Sequence, residues 1–175
     1  MARVPRPDND ISGVAPEAEA LERALKFIDY RPRSSGETRL RLRRYGYDAS
    51  TIAAVIDHLQ AAGILDDADF GRLYMAELVG KGLGFYRVRS ELQRKMLARE
   101  LVDGLLEEYP SDDELERATA VAERRVGRAG GEGDERSGRR KLCEYLVRRG
   151  YSRQVAEAAV RAAWRVDTPS EAELQ

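Results

Sequence analysis

The chain has 175 residues, 42% hydrophobic and 35% charged, and its 30 basic and 31 acidic residues leave a formal net charge of −1. Because the charges nearly cancel, any electrostatic function must come from their distribution over the surface. The single cysteine excludes an intramolecular disulfide framework, and no apolar run is long enough for a membrane-spanning helix. We therefore expect a cytoplasmic, helix-rich protein with no membrane contact.

The first predicted repeat covers residues 17–65 and follows an N-terminal tail at 1–16. The tail lacks the apolar segment of a signal peptide, so we expect it to be flexible. Apolar residues recur at helical spacing in the opening helix of this repeat, at Leu21, Ala24, Leu25 and Ile28. Pro32 ends that helix, because the residue before a proline disfavours helical dihedral angles.

Capping residues mark the other two helices of the first repeat. Ser34, with Glu37 three residues later, predicts a capping box at the start of the second helix. Gly46 suits the left-handed turn that ends this helix, and Asp48 is a suitable N-cap for the third. The predicted buried side of the second helix carries Leu42 and Tyr45.

The second predicted repeat, at residues 66–110, begins with Asp66 as a helix cap. The apolar residues of its opening helix are Phe70, Leu73, Tyr74 and Leu78. A glycine-rich turn at 80–84 leads to a second helix, whose apolar residues are Val88 and Leu92.

The third predicted repeat, at residues 111–166, starts with another capping-box pattern, Ser111 and Glu114. A weaker apolar stripe follows, at Leu115, Ala118 and Ala122. Glycine and charge are concentrated at 127–138, which predicts a mobile loop inside this repeat. The chain closes with an acidic tail at 167–175 that we expect to fray.

One apolar pattern recurs in all three predicted repeats. Short basic segments end at Gly46, Met96 and Gly150, which are 50 and 54 residues apart. Apolar residues follow each of these positions at offsets of 6, 9, 10 and 13, namely Ile52, Val55, Ile56, Leu59, Val102, Leu105, Leu106, Tyr109, Ala156, Ala159, Val160 and Ala163. That spacing is one face of an amphipathic helix. Units this short cannot bury an apolar face alone, so the sequence predicts an all-α fold of three tandem three-helix repeats in an elongated curved array.

The residues that catalysis or metal binding would need do not converge in the sequence. His58 is the only histidine, so histidine-based triads and metal sites lack most of their parts. Asp66 and Asp67 have no matching carboxylate cluster, and the glycines around Lys81 match neither a dinucleotide-binding loop nor a Walker loop. Cys143 is predicted to be a small buried residue. We therefore predict no catalytic residue, no metal site and no cofactor.

Arginine is concentrated in the middle helix of each predicted repeat. The residues predicted to contact a partner or a phosphate are Arg39, Arg43, Arg44, Arg87, Arg89, Arg94, Arg148 and Arg149. For each arginine alone, a position on a solvated basic surface is the better explanation. Their recurrence at equivalent positions favours a function, because stacked repeats would align the three helices into one basic stripe. Such a stripe suits phosphates or an acidic protein groove, and acidic residues cluster elsewhere, at 107–116.

Several phrases of the sequence resemble the RecX family of bacterial recombinase regulators. They are Tyr30-Arg31-Pro32-Arg33-Ser34 with Glu37, Leu40 and Leu42; Gly46-Tyr47; Gly63-Ile64-Leu65-Asp66-Asp67 with Phe70; Lys81-Gly82-Leu83-Gly84 with Arg87, Val88, Glu91 and Leu92; and Leu146-Val147-Arg148-Arg149-Gly150-Tyr151-Ser152. Their order and spacing extend over roughly residues 17–165. One departure is Met96, which stands where the family usually has glycine, so we expect a strained turn there.

The resemblance implies three tandem three-helix repeats and a non-enzymatic modulator of RecA, mainly an inhibitor. It implies that the protein lies in the groove of the RecA–DNA filament and suppresses ATP hydrolysis, strand exchange and the co-protease activity of the SOS response. We expect a monomer with at most weak contact with DNA. The alternative is a direct DNA-binding protein with helix-turn-helix-like units, although the near-neutral total charge disfavours tight autonomous binding.

Overall fold

The computed structural model describes residues 16–129 and 135–166, and these contain nine α-helices and no strand. The helices are α1 (Pro16–Asp29), α2 (Ser35–Arg44), α3 (Ala49–Ala61), α4 (Asp67–Gly80), α5 (Phe85–Arg94), α6 (Arg99–Glu107), α7 (Glu114–Ala129), α8 (Glu135–Arg148) and α9 (Arg153–Val166). The predicted all-α repeat fold is confirmed. The predicted tails fall almost wholly at 1–15 and 167–175, outside the described residues.

The chain divides into two compact units, Met1–Leu65 and Asp66–Gln175. We call them the N-terminal and C-terminal units and describe each separately. The N-terminal unit packs α1, α2 and α3 around one hydrophobic core, formed by Ala20, Ala24, Leu42, Ile52, Val55, Ile56, Leu59 and Leu65.

The predicted caps of α2 and α3 are confirmed in the N-terminal unit. The backbone N–H of Glu37 donates to Ser34 Oγ at 3.0 Å, and the N–H of Ser34 donates to Glu37 Oε2 at 3.3 Å. The N–H of Thr51 donates to Asp48 Oδ1 at 2.8 Å. Each cap satisfies backbone donors that the first helical turn leaves without intrahelical acceptors, so α2 and α3 begin where the sequence predicted.

The described residues of the C-terminal unit form six helices and two hydrophobic cores. In α4, α5 and α6 the buried residues are Met75, Leu78, Val88, Leu92, Leu97, Val102, Leu105 and Tyr109. In α7, α8 and α9 they are Ala118, Ala122, Val126, Leu142, Leu146, Tyr151, Ala156, Ala159, Val160, Ala163 and Trp164. Asp66 caps α4, as predicted, by accepting from the N–H groups of Ala68 and Asp69.

The recurring offsets identify the buried face of the last helix in each repeat. Eleven of the twelve predicted positions are buried, and the twelfth, Leu106, is partly buried against the same core. Periodicity was less reliable at helix ends and in the opening helices. Tyr45 is 43% exposed because it lies at the C-cap of α2, and Leu25, Leu73 and Leu115 are also exposed.

The left-handed turns of the three repeats are at the predicted positions. Gly46 and Gly150 have φ angles of +93° and +95°, and Met96 has +57°. Met96 is the one residue other than glycine with a positive φ among the described residues. A side chain in this region costs about 1–2 kcal/mol, so the strain expected at Met96 is present in the fold.

Two predictions for the third repeat were wrong. The predicted loop at 127–138 is mostly helical, because α7 continues to Ala129, α8 begins at Glu135, and only 130–134 lies outside the described residues. Gly138 is buried within α8. The predicted capping box at Ser111 is also absent, because α7 begins at Glu114 and the Glu114 side chain binds elsewhere.

Candidate interaction surface on the middle helices

The middle helices α2, α5 and α8 share one arrangement of apolar and basic residues. Each buries a leucine two residues before its end, and these are Leu42, Leu92 and Leu146. Each helix then ends at an arginine, namely Arg44, Arg94 or Arg148. A cation in the last helical turn is favoured by the negative end of the helix dipole. The helix dipole therefore explains why an arginine ends each of the three middle helices. All three arginines remain at the protein surface.

Five of the eight predicted contact residues have no carboxylate partner in the described part of the chain. They are Arg39, Arg43, Arg44, Arg89 and Arg148, and we call them the unpaired arginines. All except Arg39, which is partly buried, are exposed. Their charges face solvent on α2, α5 and α8, so an anionic partner can approach them without displacing an internal ion pair.

Two further predicted residues, Arg87 and Arg94, share one carboxylate on α5. Their guanidinium groups lie 2.8 Å and 3.2 Å from Glu91 Oε1. Glu91 is mostly buried between them, with its side chain 14% exposed. These arginines keep a surface position, but part of their charge is already neutralised within the helix.

The eighth predicted residue, Arg149, binds inside the C-terminal unit. Its Nε donates to the carbonyl of Gly82 at 3.0 Å, and one terminal nitrogen donates to the Tyr145 hydroxyl at 3.0 Å. The other terminal nitrogen donates to the carbonyl of Lys81. Three acceptors therefore fix this guanidinium, whereas the adjacent Arg148 has no ion pair with any described residue. No local feature of the sequence distinguishes the internal role of Arg149 from the surface position of Arg148.

The contacts of Arg149 belong to a joint between the second and third repeats. The N–H of Gly84 donates to the carbonyl of Arg149 and the N–H of Tyr86 to the carbonyl of Gly150, both at 3.0 Å. The N–H of Phe85 donates to Glu114 Oε1 at 2.9 Å. Gly84 has no side chain that could cap α5, so acceptors from the third repeat satisfy the first N–H groups of that helix. We call this set of contacts the inter-repeat joint.

Two glycines allow the backbones to meet at the inter-repeat joint. A Cβ atom on Gly84 would lie 2.4 Å from the backbone nitrogen of Tyr151. One on Gly150 would lie 2.3 Å from the backbone nitrogen of Arg87. No side chain fits at such distances, so both positions require glycine.

Two buried tyrosines complete the inter-repeat joint. The Tyr151 hydroxyl donates to the carbonyl of Gly82 at 3.0 Å, and the Tyr109 hydroxyl donates to Glu114 Oε1 at 3.1 Å. Burial raises the pKa of Tyr151, and it raises the pKa of Tyr109 to about 12. Both hydroxyls therefore stay protonated and available as donors at physiological pH. Sequence reasoning missed Glu114 and Tyr151, although the phrases at 81–84 and 146–152 contain much of both sides of the joint.

The structure adds three observations on other classes of site. The described residues contain no group of three or more histidine, cysteine, aspartate or glutamate side chains placed to hold a metal ion. No helix in 16–129 or 135–166 combines the length and apolarity needed to cross a membrane. Cys143 is half-buried rather than fully buried, and burial raises the pKa of its thiol.

Comparison with known families gives two matches along the chain. The profile described as "RecX, first three-helix domain" matches residues 20–59. The profile described as "RecX, third three-helix domain" matches residues 112–160. The first covers α2 and most of α1 and α3, and the second covers α7, α8 and part of α9.

Curated relatives carry the same name. "Regulatory protein RecX" of Halorhodospira halophila is 33% identical over 152 residues, which cover 87% of this chain and 92% of the relative. The protein of that name from Mycobacterium sp. strain MCS is 29% identical over 166 residues, covering 89% and 91%. The one from Listeria innocua is 29% identical over 89% of this chain, which spans only 58% of that relative's length.

Solved structures support the same fold. The crystal structure of RecX from Lactobacillus salivarius superposes with a TM-score of 0.74 at 17% identity, covering 85% of this chain and 97% of that one. A second crystal structure of a regulatory protein RecX gives a TM-score of 0.68 at 20% identity, covering 81% and 70%. At these identities the structural likeness establishes the arrangement of helices.

Proposed function

The chain belongs to the RecX family of regulatory proteins, and we propose that it is a non-enzymatic modulator of RecA, mainly an inhibitor. In this proposal it binds as a monomer in the groove of the RecA–DNA filament. Binding suppresses ATP hydrolysis, strand exchange and the SOS co-protease activity of the filament. The proposal also requires a cytoplasmic location, where such filaments form.

The observation that carries this proposal is the set of five unpaired arginines on the middle helices. Their exposed charges are not neutralised by described carboxylates, so they can contact phosphates or acidic side chains of a partner. Arg87 and Arg94 lie on the same helix as Arg89 and add partly neutralised charge. Arg149 does not contact the partner in this scheme, because its donors hold the turn after α8 in the inter-repeat joint.

Inhibition follows from simultaneous contacts along the filament. In the proposal the three repeats contact neighbouring RecA protomers. After the first contact forms, each further contact is made within the same complex. Several weak contacts therefore give a high overall affinity. A protein bound across protomers opposes the rearrangements that accompany ATP turnover and blocks access of the repressor and of a second DNA to the groove.

The test neutralises one unpaired arginine in each middle helix, in a triple variant with Arg44→Gln, Arg89→Gln and Arg148→Gln. We expect the concentration for half-maximal inhibition of RecA ATP hydrolysis on single-stranded DNA to rise about tenfold, from three exposed contacts of about 0.5 kcal/mol each. The matched control replaces three exposed, ion-paired arginines that lie on α4, α6 and α9, outside the middle helices. Its substitutions are Arg72→Gln, Arg99→Gln and Arg153→Gln. Equal inhibition by both triple variants would reject the surface assignment. Absence of inhibition by the unmodified protein would reject the function.

Two further measurements separate this proposal from its alternatives. We expect no nucleotide hydrolysis by the protein alone, and turnover would show an enzyme. We also expect tighter binding to RecA-coated single-stranded DNA than to the bare strand. Equal affinities would favour the direct DNA-binding protein with helix-turn-helix-like units.

A further inference from the structure

A groove of about 610 Å³ lies between α8 and α9 in the C-terminal unit, and we call it the α8–α9 groove. Its apolar side chains are Cys143, Val147 and Val160, and Val147 is 44% exposed. Helix α7 packs against both α8 and α9, but none of its described side chains lines the groove. The groove therefore lies on a face of the helix pair that α7 leaves uncovered. Its volume is within the roughly 300–1,000 Å³ typical of ligand sites.

Positive charge predominates around the α8–α9 groove. Five arginines and two glutamates line it, namely Arg139, Arg140, Arg148, Arg153, Arg161, Glu144 and Glu157. Arg140 and Arg153 pair with the two glutamates, and Arg139 pairs with Glu135. Arg148 and Arg161 are exposed and have no carboxylate partner among the described residues. An apolar surface beside unneutralised cations suits an apolar side chain that is flanked by carboxylates.

The same unit contains a segment of this chemistry at residues 107–116, which we call the acidic segment. It has no lysine or arginine. Leu115 lies in it and is 46% exposed, and the nearest arginine along the chain, Arg117, donates to the carbonyl of Pro110. Five exposed carboxylates of the segment pair with no described cation, namely Glu107, Glu108, Asp112, Asp113 and Glu116.

Charge complementarity identifies a second copy of this chain as the occupant of the groove. The carboxylates of the acidic segment do not pair with the groove arginines of their own copy, so both surfaces are available to another copy. We propose that the acidic segment of one copy docks into the α8–α9 groove of a second copy. In this contact Leu115 packs against Val147 and Val160, while the carboxylates contact Arg148 and Arg161.

The proposed contact joins copies head to tail. Groove and segment are different surfaces, so each dimer keeps one free groove and one free segment, and association continues beyond the dimer. A small, charged interface of this kind is weak and is screened by salt. The inference goes beyond the proposed function because it requires no RecA. Since Arg148 also belongs to the unpaired arginines, docking of a second copy and contact with RecA exclude each other at this residue.

The experiment is sedimentation velocity on the full chain without RecA, from about 10 µM to about 500 µM, a range that covers weak contacts. We expect the mean mass to rise with concentration, and to fall when NaCl is raised from about 0.05 M to about 0.5 M. Leu115→Gln should raise the dissociation constant about tenfold, because it removes the apolar side chain of the contact. Leu73→Gln is the matched control, since Leu73 is a leucine of α4 that is 65% exposed.

Two charge-reversed variants test the pairing of groove and segment. The groove variant has Arg140→Glu with Arg161→Glu, and the segment variant has Glu107→Lys with Glu108→Lys. Each should sediment as a monomer alone. Mixing the two should restore association, because every altered surface then meets one of opposite charge.

The control variants carry the same changes in net charge at exposed positions outside both surfaces. They are Arg72→Glu with Arg99→Glu, and Glu77→Lys with Glu123→Lys. Each should associate like the unmodified chain, and circular dichroism should show all four variants folded.

Three results would overturn the proposal. The first is a monomer at every concentration, and the second is equal association by the surface variants and their controls. The third is failure of the mixed groove and segment variants to associate. None of these results bears on inhibition of RecA, which the ATP hydrolysis assay measures separately.

Discussion

The middle helices of the first and second repeats, α2 and α5, begin in different ways. In the N-terminal unit, α2 is capped by Ser34 and Glu37, which are neighbours in the sequence. In the C-terminal unit, α5 follows Gly84 and takes its acceptors from Glu114, Arg149 and Gly150 in the next repeat. The N–H groups at the start of the middle helix are thus satisfied by neighbouring residues in the first repeat and by tertiary contacts in the second.

This difference shows how a repeat protein can join two modules through a helix terminus. N–H groups that a local cap would satisfy become donors to the following repeat, and close approach requires glycine on both sides. The joint holds the first turn of α5 against the turn after α8. Substitutions at the joint should therefore lower the free energy of unfolding by more than equivalent substitutions in the N-terminal unit.

The largest expected effect is that of Gly150→Ala. The new Cβ would meet the backbone of Arg87 at a residue whose φ is +95°, so we expect a loss of about 3 kcal/mol or more. Gly46→Ala is the matched control, because Gly46 has φ of +93° with no atom within 4 Å of the added carbon, and it should cost about 1 kcal/mol. Urea denaturation measures both, and equal losses would contradict the inter-repeat joint.

Glu114→Ala should have the next largest effect. It removes the acceptor for the Phe85 N–H and the Tyr109 hydroxyl, and we expect a loss of about 2 kcal/mol. Glu114→Gln keeps an acceptor oxygen and should lose about half as much. Hydrogen exchange at the Phe85 amide provides a local readout. Unchanged exchange in the alanine variant would show that Glu114 does not cap α5.

Ser34→Ala tests the local cap and should cost less. Loss of the hydrogen bond to the Glu37 N–H should lower the free energy of unfolding by about 1 kcal/mol. Ser90→Ala, at an exposed position within α5, is the control and should change it by less than about 0.5 kcal/mol. Similar values for the two variants would mean that the capping box contributes little to α2.

The smallest expected effect is a pH dependence at the cap of α3. Hydrogen bonds from the Ser50 hydroxyl and from Thr51 lower the pKa of Asp48 to about 2, from an ordinary value near 3.8. Because the folded-state pKa is the lower one, the cap contributes fully above about pH 4 and is lost as the pH falls through 2. An NMR titration of the Asp48 carboxyl should give this midpoint. Ser50→Ala should raise it, and an unshifted midpoint in the unmodified protein would exclude the cap.

Local signals explain which parts of the fold could be predicted. Ser34, Asp48 and Asp66 cap helices through bonds to N–H groups two or three residues later, so sequence spacing alone was enough. The left-handed turn at Gly46 and the strained turn at Met96 likewise follow from a turn that ends the middle helix. Such features depend on neighbours in the chain, and the predictions for them were confirmed.

Contacts with residues of other helices and turns explain which features could not be predicted from the sequence. Glu114 matched a local capping pattern, but its carboxylate binds Phe85, 29 residues earlier. Arg148 and Arg149 are adjacent and look alike in the sequence, yet only Arg149 is within reach of the carbonyls of 81–82. Tyr45 fits an apolar stripe, but its ring lies between two guanidinium groups at the surface. Periodicity cannot reveal these contacts because at least one partner in each case lies outside the helix concerned.

The pair Arg148 and Arg149 gives the most direct test of the central claim, that unpaired arginines of the middle helices contact RecA while Arg149 holds the joint. Half-maximal inhibition of RecA ATP hydrolysis is measured for Arg148→Gln and Arg149→Gln, under conditions where circular dichroism shows both folded. We predict that Arg148→Gln requires about twofold more protein at unchanged Tm, whereas Arg149→Gln lowers Tm and inhibits like the unmodified chain. Loss of inhibition in Arg149→Gln at unchanged Tm, with full inhibition by Arg148→Gln, would contradict the account.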